Sequence, residues 1–155
     1  MSRLHRDPGG HDQAGAEVEM ISAHDLDIAA KTVWGEARGE GDVGMLAGAS
    51  GIVNRASKKD AHLADVCLKP FQFSCWNEGD PNKPAIEAIG PDDKSYRQAL
   101  GAVLKAIDLP PGADQTRGAT HYCHINSKPW WAKKMKETAT IYNHRFYIES
   151  NPKDT

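Results

Sequence analysis

No stretch of this 155-residue chain is apolar for long enough to span a bilayer, which takes about 20 residues. Charge of one sign is lacking too. With 19 basic and 21 acidic residues and a formal net charge of −2, nothing in the balance favours nucleic acid or an anionic membrane surface. Seven histidines leave room for a shift toward positive charge in mildly acidic surroundings. Cysteine is scarce. Cys67, Cys75 and Cys123 cannot all pair within one chain, and their spacing fits no zinc template. One bridge with a leftover thiol is compatible with the count; three reduced, mostly buried thiols are the expectation. Met1 to Gly15 is polar, with Pro8, Gly9 and Gly10, and lacks the apolar centre of a signal peptide. Repeats and low-complexity segments are absent as well. What is left is one domain of ordinary size, expected to be monomeric, to take no cofactor or metal, and to insert in no membrane.

Along the chain, residues 1–19 read as a flexible leader or an expression-derived segment, and residues 20–155 as the folded domain. Ser22 with Asp25 three places on is a capping-box signal for a helix from about Ala23. Asp42 is the expected cap of a second helix reaching Ser57, apolar nearly all round and therefore central. Its Gly44, Gly48 and Gly51 are expected to let other segments approach its backbone. Ala61 to Lys69 suits a short helix or turn. The aromatic run from Phe71 to Asn77 leads into a loop containing Gly79, Pro81 and Pro84. A third long helix is expected from Asp92, as cap, to Ile107. The last third changes period: Ala119–Ile125 suits a strand, Pro129–Met135 a short helical turn, and Thr138–Tyr142 with Arg145–Glu149 a hairpin turning near Asn143-His144. Helices followed by a few late antiparallel strands make an α+β domain, mainly helical with a small sheet from the C-terminal third.

The richest stretch is Thr32-Val33-Trp34-Gly35-Glu36-Ala37-Arg38-Gly39-Glu40-Gly41. Leu26, Ala29, Ala30, Val33 and Ala37 form one helical stripe, and Glu36 falls on its flank. Gly35, Gly39 and Gly41 read as terminators, which puts Glu36 in the last turn at the edge of the core. Unsatisfied helix-end carbonyls and partial exclusion of water both disfavour its charged form there. Such a carboxyl holds its proton near neutral pH and can give it to a leaving group. The plain reading is a surface glutamate paired with Arg38 or a lysine.

Further candidates are Glu40, Asp42, Trp76, Asn77, His121, Tyr122, His124, Trp130 and His144. Glu36 and Glu40 would lie about 6 Å apart on a continuous helix, yet on the same side of it, whereas a retaining glycosidase pair flanks its sugar from two sides. Trp76, Trp130 and Trp131 sit in loop contexts, where indole faces can stack on sugar rings or simply fill the core. His121 and His124, three apart on a strand, face opposite ways and cannot share an ion on regular backbone.

Six segments, in order, carry a resemblance. They are Thr32 to Glu40, Ile52-Val53-Asn54-Arg55, Phe73-Ser74-Cys75-Trp76-Asn77, Gly118-Ala119-Thr120-His121-Tyr122, Pro129-Trp130-Trp131-Ala132 and His144-Arg145-Phe146-Tyr147. Together they resemble the successive motifs of the SleB-like cell wall hydrolases, a family of spore-cortex-lytic enzymes and phage-type endolysins. The resemblance covers roughly Leu26 to Ile148. It implies a lysozyme-like fold, peptidoglycan glycan strands as the partner, and cleavage between N-acetylmuramic acid and N-acetylglucosamine. It places the catalytic acid on Glu36. Of the candidates above, Glu40, Trp76, Asn77, His121, Tyr122, Trp130 and His144 are the expected substrate contacts. The chain departs from the family where a second histidine usually follows His-Tyr: Cys123 stands there, with His124 displaced by one. Asn143 stands close to the place where a glycine usually precedes the final histidine.

A lytic transglycosylase, needing one acid, is the expected chemistry; a hydrolytic muramidase, a zinc amidase or endopeptidase using His121 and His124, and a noncatalytic glycan-binding module are the alternatives. The expected place of action is the periplasmic wall of a Gram-negative host. A phage or prophage endolysin, made in the cytoplasm, would reach it after the membrane is opened.

Overall fold

Ser22 caps the first helix as the sequence predicts. Its hydroxyl accepts from the Asp25 amide at 3.0 Å while the Asp25 carboxylate accepts from the Ser22 amide at 3.3 Å, satisfying orphan donors at the start of α1, Ala23–Ala37. The computed structural model describes residues 21–70 and 72–149; the leader and Phe71 fall outside the described residues. Asp25 does a second job: its other carboxylate oxygen accepts from the Ala64 amide at 3.0 Å. That bond pins the short α3, Leu63–Leu68, against α1.

After α1 the chain makes a 3-10 turn, Arg38–Glu40, and enters α2, Gly41–Lys59. The expected cap at Asp42 is corrected. Gly41 has φ +73°, a conformation only glycine adopts cheaply, so the turn runs straight into the helix and the cap falls two residues earlier, at Glu40. Every residue from Ala49 to Ala56 is buried, so α2 is the central helix. Two of its glycines behave otherwise than expected: Gly44 is covered by Glu40, but no atom lies within 4 Å of where a Cβ would stand at Gly48 or Gly51.

The segment around Gly79, Pro81 and Pro84, expected as loop, runs into α4, Lys83–Ala88. Pro84 stands in its first turn, where the missing N–H would have had no partner anyway. α5, Lys94–Asp108, is capped by Asp93 in place of Asp92, its carboxylate accepting from Ser95 and Tyr96 amides at 2.8 and 3.1 Å. α1 and α2 both pack on α5, and their buried faces form the main core around Val33, Ile52, Val53, Ile86 and Val103.

The sheet is antiparallel with order β1-β3-β2: β1 His121–His124, β2 Met135–Ile141, β3 His144–Glu149. The hairpin is longer than its predicted span. Met135 already pairs with Glu149, and the turn falls at Tyr142-Asn143, Tyr142 being left-handed at φ +51°. A register irregularity between Glu137 and Ala139 lets the Thr138 hydroxyl donate to the Thr116 carbonyl at 2.7 Å. A second, small apolar cluster of Ala47, Ala119 and Phe146 joins the sheet to α2, and Tyr122 packs against both clusters. The result is an α+β, lysozyme-like architecture with the candidate site at the seam between its helical and sheet parts.

Candidate active site

Glu36 stands in the last turn of α1, as the spacing predicts, half-buried. Gly35 is the reason other elements reach it. A Cβ there would lie 2.5 Å from Ile86 Cδ1 and 3.3 Å from Cys75 Cβ, so only glycine lets α4 and the Ser74–Trp76 turn press onto this end of α1. Gly35 thus lies inside the helix and serves as a contact point, where the sequence suggested a terminator. Arg38 does not neutralise Glu36. Its guanidinium lies 4.0 Å from the Trp34 ring centroid and donates to the Trp34 carbonyl at 3.2 Å and to Asn82 Oδ1 at 3.1 Å. Among the described residues no hydrogen bond or ion pair engages the Glu36 carboxyl. Burial, then the nearby carboxylates of Asp80 and Glu40, push its pKa from 4.5 up to about 6. Asp80 was not legible as a contributor; it arrives through the packing of the segment before α4.

Glu36 opens onto a cavity of about 470 Å³ lined also by Gly51, Ile52 and Arg55 of α2, by Gln72, Phe73 and Ser74, and by Thr120, His121, Tyr122 and Trp131. Three predicted residues therefore meet: Glu36, His121 and Tyr122. The His121 ring nitrogen Nδ1 lies 2.9 Å from the Thr120 hydroxyl. Burial first, then the Arg55 charge, pushes His121 down to about 4, so at neutral pH it is an uncharged hydrogen-bonding group. Burial, reinforced by Glu36, pushes the Tyr122 hydroxyl well above its ordinary range, so it too stays neutral and can donate.

β1 is regular, and its two faces separate as its sequence alternation implies. His121 packs toward Trp131, whose ring meets Tyr147 edge-on; Tyr122 and His124 share the other face with His144 and Phe146. His144 is therefore near the site without lining it. Its Nδ1 lies 2.8 Å from Glu40 Oε1, and Glu40 borders a separate hollow with Gly39, Tyr142 and Asn143. Because α1 ends at Ala37, Glu36 and Glu40 do not share one helix face.

The tryptophans fall in three different settings. Trp130 is 75% exposed and outside the cavity; its neighbour Trp131 lines it, because the turn Trp130–Lys134 rotates successive side chains by about 120°. Trp76 is fastened to the core by donating to the Thr32 hydroxyl at 2.9 Å. Asn77 caps the Ser74–Trp76 turn through its amide. Neither lines the cavity. Arg55 enters the sequence reading only as part of a motif, and it is the cation on the cavity wall; a charged residue inside a helix buried nearly all round is the signal that could have found it.

Comparison with known proteins decides the family: residues 39–147, more than half of the chain, match the Cell Wall Hydrolase family. The chain belongs to the cell wall hydrolase family. Glu36 lies three residues before the matched segment. A curated member, the spore cortex-lytic enzyme of Halalkalibacterium halodurans, is 33% identical over 103 residues, 65% of this chain and 27% of the relative. The chain thus spans well under half of that relative. The catalytic domain of the Bacillus cereus SleB protein superposes with TM-score 0.64 at 27% identity, covering 83% of this chain and 92% of that domain. The catalytic domain of the germination-specific lytic transglycosylase SleB from Bacillus anthracis gives TM-score 0.63 at 25% identity, covering 91% and 99%.

Proposed function

We propose that this cell wall hydrolase cleaves the glycan strand of peptidoglycan between N-acetylmuramic acid and N-acetylglucosamine, as a lytic transglycosylase with Glu36 as its acid and base. The observation that carries this reading is the unpaired, half-buried Glu36 carboxyl facing the cavity with its pKa raised to about 6. Such a group holds a useful protonated fraction near neutrality and, once ionised, is basic enough to take a proton back. In the first step Glu36 gives its proton to the glycosidic oxygen as the bond from the muramyl C1 breaks. The muramyl C6 hydroxyl then attacks C1 and returns its proton to Glu36, leaving a 1,6-anhydro end. No water is consumed. Glu36 is the one carboxyl among the described residues lining this cavity. Glu40, engaged by His144, borders a different hollow, which supports a mechanism that needs no second carboxylate. Neutral His121 and Tyr122 would bind sugar hydroxyl or acetamido groups, and Trp131 offers a ring face.

Mass spectrometry of digested sacculi tests the reaction. Anhydro-muramic ends are expected; reducing ends, heavier by one water, mean a hydrolytic muramidase. Glu36→Gln should lower the rate about 100- to 10,000-fold, the range of a lost general acid, whereas Glu40→Gln should keep most of it. Lysis should persist in excess chelator, and its loss there turns the reading toward a metal-dependent amidase.

We propose an endolysin role as well. It is supported by Cys67, Cys75 and Cys123, all free: burial pushes the Cys67 and Cys75 thiols up to about 12, as suits a protein folded in a reducing compartment. Expressed in a Gram-negative cytoplasm, it should leave cells intact until the inner membrane is permeabilised and then clear them; lysis without permeabilisation speaks against this role.

A further inference from the structure

Arg55 is 4% exposed, it lines the cavity that Glu36 faces, and its Nε and Nη1 have no hydrogen-bond partner among the described residues. Buried guanidinium groups are normally answered by carboxylates or carbonyls, since an unpaired buried charge is expensive. Here the countercharge that acts on it most, Glu149, is shared with Lys58, which lies 3.7 Å from it. The cavity wall offers it no matching partner. His121 and Tyr122 are neutral, Gln72, Ser74 and Thr120 carry no charge, and Glu36, the one carboxyl on the wall, is not among the charges that act on Arg55. Arg55 cannot escape the cost by deprotonating, because guanidinium stays charged even when burial lowers its pKa. A site that keeps such a cation beside an acid without a matching anion is short of one negative group.

We propose that Arg55 is a carboxylate-binding residue, holding an acid group on the lactyl arm of the muramyl unit, or on its attached peptide, against the cavity wall. The inference rests on the glycan-strand reading above and adds what selects the substrate's register. Of the two sugars in the strand, only the muramyl unit carries a carboxyl-bearing substituent. A strand seated with that arm on Arg55 presents a defined glycosidic oxygen to Glu36, and an N-acetylglucosamine polymer lacks the anchor altogether. Two sources share the chemistry: the lactyl carboxylate, free where the peptide stem has been removed, and the carboxylates of the stem itself.

The test uses the full chain and four substrates: stem-free strands and stem-bearing strands, each with its carboxylates free or converted to amides. Wild type should favour the acid form over the amide by about 10- to 100-fold in kcat/KM, the span of a charge-assisted hydrogen bond. The pair that shows the gap assigns the source. Arg55→Gln should erase the preference by losing activity on the acid form alone, and Arg55→Lys should retain part of it. Equal handling of acid and amide forms by wild type overturns the proposal, and needs no variant to fold. An equal loss by Arg55→Gln on both forms overturns it as well. Calorimetric binding of the same strands to Glu36→Gln, with and without Arg55→Gln, reads the preference without turnover. An enzyme that cleaves none of the strands therefore condemns the glycosidase reading, while the Arg55 assignment still stands or falls on affinity.

Discussion

Glu36 combines a cost to folding with a use in chemistry. Its folded pKa, about 6, lies above the ordinary 4.5, so the native protein binds this proton more tightly than the unfolded chain does. Stability contributed by the proton is therefore present at low pH, falls as pH rises from about 4.5 to about 6, and stays lost above. The shift corresponds to on the order of 2 kcal/mol. Glu36→Gln should accordingly lose most of its activity yet melt several degrees higher than wild type at pH 7, with the two melting alike at pH 4; equal melting at both values refutes the burial argument. Activity should fall as pH rises past about 6, because the acid is then ionised. Burial is the first cause of the shift and Asp80 the second. Asp80→Asn should therefore move that falling limb to lower pH without abolishing cleavage, as a pH–kcat/KM profile would show. The raised pKa was legible from the sequence, since a flanking position at a helix end implies desolvation. Its partner in repulsion was not. Nothing local marks Asp80; only the close approach that Gly35 permits brings its segment near.

The elements were legible wherever a helix buries one stripe. Ser22 and Asp25 announce α1, and Tyr96, Ala99, Leu100, Val103 and Ile107 announce α5, because these choices are made within a few residues of each other. α4 was missed because Gly79, Pro81 and Pro84 imitate a loop, and what orders it is the burial of Ile86 against α1, a tertiary effect. Glycines show the same division. Their number in α1 and α2 is plain from sequence, yet their roles depend on what stands opposite. Gly35→Ala sets a methyl group against fully buried Ile86 and should cost about 1–3 kcal/mol by overpacking, read by denaturant unfolding. Gly48→Ala meets open space and should stabilise α2 by up to about 1 kcal/mol with activity unchanged. Gly51 also meets open space, but that space is the cavity. Gly51→Met should therefore fold and yet raise KM, whereas an unchanged KM would mean that glycan does not enter there.

At the scale of the molecule, the site exists because a helical core and a small sheet are held at a fixed distance. Two of the polar contacts across that seam differ in burial. On the rim, Glu40 meets His144 at 2.8 Å, both side chains about one-fifth exposed. Deeper, Asn54 of α2 donates to the Ala119 carbonyl at 2.9 Å and to Asp114 at 3.4 Å. Asp114 in turn accepts from the amides of Thr116 and Gly118 at 3.0 and 3.1 Å. This polar knot fixes the loop that delivers Thr120, His121 and Tyr122 to the cavity. Asn54 read in the sequence as one more position on a buried face, because the groups it serves lie 60 and 65 residues further on. Asn54→Ala strips the buried Ala119 carbonyl of that donor and should cost about 1–3 kcal/mol. It should also lower kcat/KM, because β1 loses its fixed position relative to Glu36. Glu40→Gln weakens a partly exposed ion pair, worth about 1 kcal/mol or less, and should leave β1 in place. Amide hydrogen exchange separates the two: faster exchange at Thr120 and β1 is expected in Asn54→Ala alone. If β1 keeps its wild-type protection in that variant, the seam is held by the apolar packing of Ala47, Ala119 and Phe146, and the polar knot serves stability without positioning the site.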